Sequence, residues 1–301
     1  MKIIFMGTPD FAIPSLNKLV ESRHEITAVV TTSDKERGRG RKVSFTPVKE
    51  FALSYNLPVL QPEKLKDEYF ISELKNYNAD LYVIVAFRIL PKEVFTIPPK
   101  GSFNLHASML PKYRGAAPIQ WALIKGERET GLTTFALAEK VDTGNIYFQE
   151  TVEIQDDDNF GTLHDRLSRL GAEVVLKTVD MIESDDFELK EQDNEKASPA
   201  PKITKEIQQI DWNKPAIEIH NLIRGLSPYP GAFFYHNKRV IKVFSSEPSQ
   251  KDLYPGEIQH TRDELFIGCG EDALRIFELQ QEGKKRMSTE EFLRGFSFYK
   301  N

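Results

Sequence analysis

The first hundred residues alternate two periodicities, and that alternation limits the possible folds more than any other feature. Residues 2–6 (KIIFM) form a short apolar run closed by Gly7-Thr8-Pro9-Asp10. In residues 11–20, Phe11, Ser15, Leu16, Leu19 and Val20 stand at helical spacing. Residues 25–31 (EITAVVT) are β-branched and apolar, as a strand buried on both faces must be. Thr46-Pro47 reads as an N-cap with proline at the first helical position, opening a helix over 48–55. Residues 57–60, 81–86 and 102–106 are three further strands. Strands separated by helices imply a parallel sheet, because a parallel pair requires a crossover. Residues 1–185 are therefore expected to form an open α/β domain. Its closing helix would span 159–184, with Leu163, Leu167, Leu170 and Val174 as the core-facing stripe.

The composition then shifts. Residues 183–201 (ESDDFELKEQDNEKASPAP) are charged, poor in apolar side chains and proline-terminated, so a linker or exposed hairpin is expected, with the linker placed at 186–207. In 208–301 a helical pattern at 215–226 precedes five short strands, at 232–235, 240–245, 256–259, 265–268 and 273–279. Short strands at this spacing predict a small barrel.

A chain of 301 residues fits two such domains. Its single cysteine, Cys269, excludes an internal disulfide framework and a cysteine-built zinc site, and fits a reducing compartment. The longest apolar run, 79–86, is far shorter than the ~20 residues of a bilayer span. The opening MKIIFMGTPD lacks the apolar stretch of a secretory leader. A cytoplasmic chain without a membrane partner is expected. Residues 1–195 hold 24 Lys and Arg against 31 Asp and Glu, net −7, and residues 196–301 hold 16 against 14, net +2. Any attraction to a polyanion must therefore be local.

Several chemistries lack their residues. The turn after the first strand has one glycine where a dinucleotide site needs three, which weakens a nicotinamide dehydrogenase. Neither a G-x-x-x-x-G-K-[ST] loop nor H-E-x-x-H occurs. His24, His164, His220, His236 and His260 have no acidic or cysteine partner at ligand spacing and read as surface or structural residues, so no metal is expected.

His106 is different. Asn104 and His106 are two apart on a strand and share a face, and the loop after them puts both at the strand's carboxyl end, where open α/β sheets bind ligands. An amide and an imidazole there can donate to an oxygen that becomes negative during acyl transfer. Asp142, in the turn Val141-Asp142-Thr143-Gly144, could orient His106 or accept a proton. On spacing alone the three read rather as a buried Asn and His capping a strand end and an ordinary turn aspartate, because nothing in the spacing brings them together. A second feature is the basic run at 34–42 (DKERGRGRK), longer than a strand-to-helix loop needs. Its arginines suit phosphate and base contacts, though a solvated charge run has the same composition.

The opening IIFMGTPDFAIPSL, the basic run followed by TPVKEFA, and NLHASMLPKYRGAAPIQWALIKGERETGLTTF with VDTG after it closely resemble the folate-dependent formyltransferases, over nearly the whole chain. Asn104-x-His106, the following Ser108, Met109, Leu110 and Pro111, and Asp142 are similar to the signature of the whole family. The RGAAPI of 114–119 is typical of its tRNA and sugar branches. KITK at 202–205, IDW at 210–212, LSPYPGA at 226–232, and QEGKKRM at 281–287 with EFL at 291–293 resemble the linker and carboxyl-terminal barrel of the branch acting on methionyl-tRNA. Where the family commonly has Ala-Tyr-Gly-x-Ile-Leu-Pro, bordering its folate pocket, this chain has Ala86-Phe87-Arg88-Ile89-Leu90-Pro91.

The resemblance implies a Rossmann-like formyltransferase domain with an open, mostly parallel sheet, followed by an OB-like β-barrel that binds tRNA. It implies formyl transfer from 10-formyltetrahydrofolate, as co-substrate, to the α-amine of methionyl initiator tRNA, for translation initiation. Asn104, His106 and Asp142 would be catalytic, with Asn104 and a positively charged His106 on the oxyanion and Asp142 relaying the proton. Phe87, Arg88, Ile89, Leu90, Ser108, Met109, Leu110 and Pro111 would line the folate site. Arg37, Arg39, Arg41, Lys42, Lys284, Lys285 and Arg286 would contact the tRNA. The rivals are a sugar-nucleotide N-formyltransferase, which would lack the tail motifs, and a catalytically dead RNA-binding protein, which the intact Asn104, His106 and Asp142 disfavour.

Overall fold

The computed structural model describes residues 1–37 and 42–298, with the side chains of 35–37, 42 and 43 outside the description. The chain divides into two compact units. One comprises Met1–Gly115, Thr130–Val152 and His164–Pro199; the other comprises Ala116–Glu129, Glu153–Leu163 and Ala200 onward.

The first unit holds a seven-stranded sheet. From one edge to the other its strands are Ile146–Glu153, Glu129–Ala136, Ser102–His106, Leu81–Val85, Lys2–Gly7, Glu25–Val30 and Val59–Leu60. From Ser102–His106 to Val59–Leu60 every neighbouring pair is parallel, while Glu129–Ala136 runs antiparallel to Ser102–His106. All five residues of Leu81–Val85 are buried, as expected of a central parallel strand covered on both faces. Leaving Lys2–Gly7, the chain builds outward through Glu25–Val30 and Val59–Leu60. It then returns to the other side of Lys2–Gly7 for Leu81–Val85, which makes a topological switch point. Gly7 pairs with Val85 and Val85 with Leu105, so three carboxyl ends leave the sheet side by side.

Helices form where the sequence signals them. Pro47–Ser54 starts at Thr46, whose hydroxyl accepts from the Lys49 amide at 3.1 Å. In Phe160–Ser184, Leu163, Leu167 and Val174 are buried as expected, but Leu170 is 39% exposed. The stripe runs instead through Gly171, where a Cβ would come within 2.7 Å of Leu105, and on to Val175, Thr178 and Ile182. The missing side chain lets the helix backbone approach the sheet closely, and Leu170, one position earlier, is rotated toward solvent.

The basic run is not a plain loop: Lys35–Arg37 and Lys42–Ser44 pair antiparallel. Within 186–207, Lys190 and Ile146 exchange backbone hydrogen bonds of 2.8 and 3.0 Å, and Gln192 is buried. Among the described residues, no helix is long and apolar enough to cross a membrane.

The second unit is built on an antiparallel sheet. Its strands run Ala232–His236, Arg239–Ser249, Ala273–Gln281, Leu265–Gly268 and Ile258–His260, with Met287–Ser288 also paired to Ala273–Gln281. Register shifts around Ser245 mark bulges, which bend the long strand and add twist. Ile219, Ile223 and Leu226 join Ile241, Val243, Leu265, Leu274 and Leu279 in one core. Ser288 opens the last helix, Thr289–Gly295, with a complete capping box to Glu291.

Candidate active site

Asn104, His106 and Asp142 all belong to the first unit. Asn104 pairs across the sheet with Ile84 and Phe135, and His106 with Thr133. Residues two apart on a strand project from the same face, so both side chains stand at the carboxyl end of a central strand. The Asn104 side chain is partly exposed and makes no hydrogen bond among the described residues. His106 is 6% exposed.

The surroundings of His106 are specific. Its Nε2 lies 2.8 Å from the Tyr113 carbonyl oxygen. Its Nδ1 lies 3.9 Å from Asp142 Oδ2, within ion-pair reach but too far for a direct hydrogen bond. Tyr113 is non-glycine yet has φ of 61°, and its amide donates to Ser198 Oγ at 2.9 Å, so the backbone that offers the carbonyl is itself held. Burial pushes the His106 pKa down; the Asp142 charge and the Tyr113 carbonyl oppose that without overcoming it. Asp142 favours the charged form of the ring, as its proximity predicts, but desolvation is the larger influence on His106 and acts against that form.

Asp142 sits in a left-handed backbone conformation, with φ of 53°. Its Oδ2 accepts from the Gly115 amide at 2.9 Å. Gly144 is obligatory two residues on, because a Cβ there would lie 1.6 Å from the Ala136 carbonyl oxygen.

The stretch after His106 is tied down. Ser108 Oγ donates to the Lys112 carbonyl at 2.6 Å, and Thr133 Oγ1 donates to the Ser108 carbonyl at 2.7 Å. The Leu110 amide donates to Thr133 Oγ1 at 3.2 Å, and Gln149 Nε2 donates to the Leu110 carbonyl at 2.9 Å. Ser108 and Leu110 are buried, and Met109 packs on Gly131. Pro111, joined to Leu110 by a cis peptide bond, completes the turn. Sequence reasoning missed Thr133, Gln149 and Tyr113, since nothing in their spacing marks them.

Across the neighbouring strand, Leu90 belongs to a core cluster against which the partly buried Phe87 and Leu137 pack, and Leu137 also packs against the cluster of Leu110, Phe135 and Ile146. Ile89 is 74% exposed. Arg88 donates to the Pro62 and Glu63 carbonyls at 2.7 and 3.1 Å, and its buried Nε has no partner. Burial lowers its pKa.

Of the residues expected at the tRNA, Lys284 and Lys285 are exposed. Arg286 pairs with Glu278 and lies 4.4 Å over the Phe244 ring. Arg39 and Arg41 lie outside the described residues, and Arg37 and Lys42 are described as a backbone pair.

His24 corrects the expectation that it lacks an acidic partner. Folding brings in Asp180 and Glu183, and these three could hold a metal ion. Their atoms are already engaged, however. Met1 N bonds Glu183 at 3.0 Å, Arg23 bonds both carboxylates, and His24 Nε2 lies 3.1 Å from Asp180. Two cations already balance this cluster.

Residues 1–179 match the formyl transferase family model, and residues 202–297 match the model of the formyl transferase C-terminal domain. The methionyl-tRNA formyltransferase of Caldanaerobacter subterraneus subsp. tengcongensis is 48% identical, over 98% of this chain and 97% of that one. That of Bacteroides fragilis is 46% identical, over 98% and 95%. Among solved structures, the sugar 3N-formyl transferase WlaRD, in the presence of dTDP and 5-N-formyl-THF, superposes with a TM-score of 0.70 at 21% identity, over 95% of this chain and 99% of that one. HypX from Aquifex aeolicus in complex with tetrahydrofolic acid gives 0.68 at 20% identity over 98% of this chain, which spans about half (48%) of HypX. These two likenesses concern the fold. Similarity over both domains and nearly the full length of each relative is what decides the family, and by it the chain belongs to the methionyl-tRNA formyltransferases.

Proposed function

We propose that this chain transfers a formyl group from 10-formyltetrahydrofolate to the α-amine of methionine on initiator tRNA. The observation that carries the reading is the placement of His106 between the Tyr113 carbonyl and Asp142, beside the unbonded Asn104 amide.

The chemistry follows from what each group can still do. The Tyr113 carbonyl can only accept, so His106 carries its proton on Nε2 and leaves the Nδ1 lone pair free. As the amine attacks the formyl carbon, a C–N bond forms and the carbonyl oxygen becomes negative. Asn104 donates its amide N–H to that oxygen. His106 takes the proton released by the attacking nitrogen onto Nδ1, where Asp142 lies within ion-pair reach of the cation formed. The proton then passes to the folate nitrogen as its bond to the formyl carbon breaks, and His106 returns to neutral.

The donor would lie at the carboxyl ends of the central strands, between residues 86–90 and 108–111. Ser108 and Leu110 are buried and would offer backbone groups, whereas Ile89 would offer apolar surface. The tRNA would meet the basic run at 37–42 and the turn with Lys284, Lys285 and Arg286.

A formylation assay with purified full-length chain tests this. Charged initiator tRNA is expected to be formylated, and a nucleotide-linked amino sugar is not. Asn104→Ala, His106→Ala and Asp142→Ala are each expected to lower turnover, by about 10²–10³ for the loss of an oxyanion donor. Formylation of the sugar alone, or three variants with wild-type turnover, overturns the reading.

A further inference from the structure

Asp142 is held by a closed ring of hydrogen bonds, one member of which lies in the charged stretch that reads as a linker. Gln192 Nε2 donates to the Asp142 carbonyl at 3.0 Å and to the Gly144 carbonyl at 2.8 Å. Gln192 Oε1 accepts from Arg114 Nε and Nη2 at 3.1 and 2.7 Å. Arg114 is followed by Gly115, whose amide holds Asp142 Oδ2 at 2.9 Å. The Arg114 amide donates in turn to the Ser198 carbonyl at 2.8 Å, six residues beyond Gln192.

We propose that Gln192 is a positioning residue for Asp142, locking the 142–144 turn so that the carboxylate stays aimed at His106. Gln192 is 5% exposed, and its amide nitrogen and oxygen both have partners. The carbonyls it holds flank Thr143, and Asp142 keeps a left-handed φ of 53° between the backbone bond on one side and the Gly115 bond on the other. A turn in this sparsely populated conformation persists only while its surroundings over-determine it. Gln192 supplies that constraint, because its one side chain donates to two turn carbonyls while Arg114 fixes its far oxygen. The proposal rests on the proposed catalytic role of Asp142.

Its test uses full-length Gln192→Ala and Gln192→Glu with Asp142→Asn alongside, reading kcat, both KM values, the pH profile of kcat and thermal unfolding. Glu keeps the acceptor for Arg114 but cannot donate to the turn, and it keeps the protein assayable if the Ala variant fails to fold. Both Gln192 variants are expected to lose kcat by about 10–100-fold, the cost of a small misplacement at the reacting atoms. KM is expected to stay within about two-fold, because no substrate contact is removed. The acid limb of the kcat profile should move to lower pH, the direction expected for Asp142→Asn. Folded variants with wild-type kcat and an unmoved limb overturn the proposal, as does rescue by Glu, which would place the whole effect in Arg114. If Asp142→Asn itself keeps wild-type turnover, the catalytic reading has failed; if only the Gln192 variants do, the positioning role alone has.

Discussion

The Tyr113 carbonyl sits 2.8 Å from His106 Nε2, and that one contact sets the tautomer of the ring. Only a protonated Nε2 satisfies a carbonyl, so in its neutral form the ring faces Asp142, 3.9 Å away, through an unprotonated Nδ1. A histidine found by strand alternation thus has, in its neutral form, one defined basic atom.

Two pH effects follow. Asp142 raises the His106 pKa against the larger lowering by burial, so Asp142→Asn should lower it further and move the acid limb of kcat to lower pH. Stability should also respond. The unfolded chain binds this proton near the ordinary histidine value of 6.5, and the folded chain only at lower pH. Proton uptake therefore favours unfolding as pH falls from 6.5 toward the folded value, and the effect is absent above 6.5. Urea midpoints at pH 7.5 and 5.5 should differ more for the wild type than for His106→Asn. Equal differences would show that His106 is not held neutral by burial.

Gly144→Ala should damage both fold and turnover. The new Cβ would lie 1.6 Å from the Ala136 carbonyl oxygen, a backbone atom that cannot swing aside. A destabilisation of about 1–3 kcal/mol or more is expected from the overpacking, with kcat falling because Asp142 is two residues away. A denaturant titration with parallel turnover measurements checks this; an unchanged midpoint would mean the turn relaxes freely.

The sequence makes some of these relationships legible and hides others for physical reasons. Asn104 and His106 announce themselves because strand geometry forces residues two apart onto one face. The Tyr113 carbonyl does not, because its direction depends on a left-handed backbone at a residue where side-chain identity gives no signal. Gln192 is hidden by its neighbours: a stretch of low average hydrophobicity still buries one amide where two carbonyls need it. Leu170 fails as a core residue because Gly171 brings the helix close to Leu105. The partnership of His24 with Asp180 and Glu183 spans more than 150 positions, and no local spacing encodes it.

Arg88 should control donor affinity rather than chemistry. Its guanidinium ties the 86–90 segment to the Pro62 and Glu63 carbonyls, and among the described residues it has no carboxylate partner. Arg88→Ala frees those carbonyls and the segment that holds Ile89. A rise of about ten-fold in donor KM, equivalent to ~1.4 kcal/mol, is expected with kcat little changed. A fall in kcat at constant KM would instead put Arg88 at the reacting atoms.

Cys269 should report unfolding of the second unit. It is 2% exposed, and burial pushes its thiol up to about 12. Almost no thiolate exists at pH 8, so a disulfide reagent should react only as fast as the fold opens. Addition of urea should raise the rate along the same curve as the loss of structure. Fast stoichiometric labelling of the native chain would contradict the buried position.

The three basic residues of the 284–286 turn should not act alike on tRNA. Lys284 and Lys285 are exposed, and a phosphate can meet their charges without breaking an existing contact. Arg286 is already committed to Glu278 and to the Phe244 ring. Each lysine that meets a phosphate releases a counterion, so Lys284→Ala and Lys285→Ala should each flatten the slope of log affinity against log salt by about one. Arg286→Ala should leave the slope nearly unchanged and lower the thermal stability, since it removes packing over Phe244. Binding of initiator tRNA to the full-length chain, measured at several salt concentrations for the three variants, separates the two roles. Lysine variants with the wild-type slope would show that this turn does not touch the tRNA. An arginine variant that alone flattens the slope would show that the Glu278 pair opens to let Arg286 reach a phosphate.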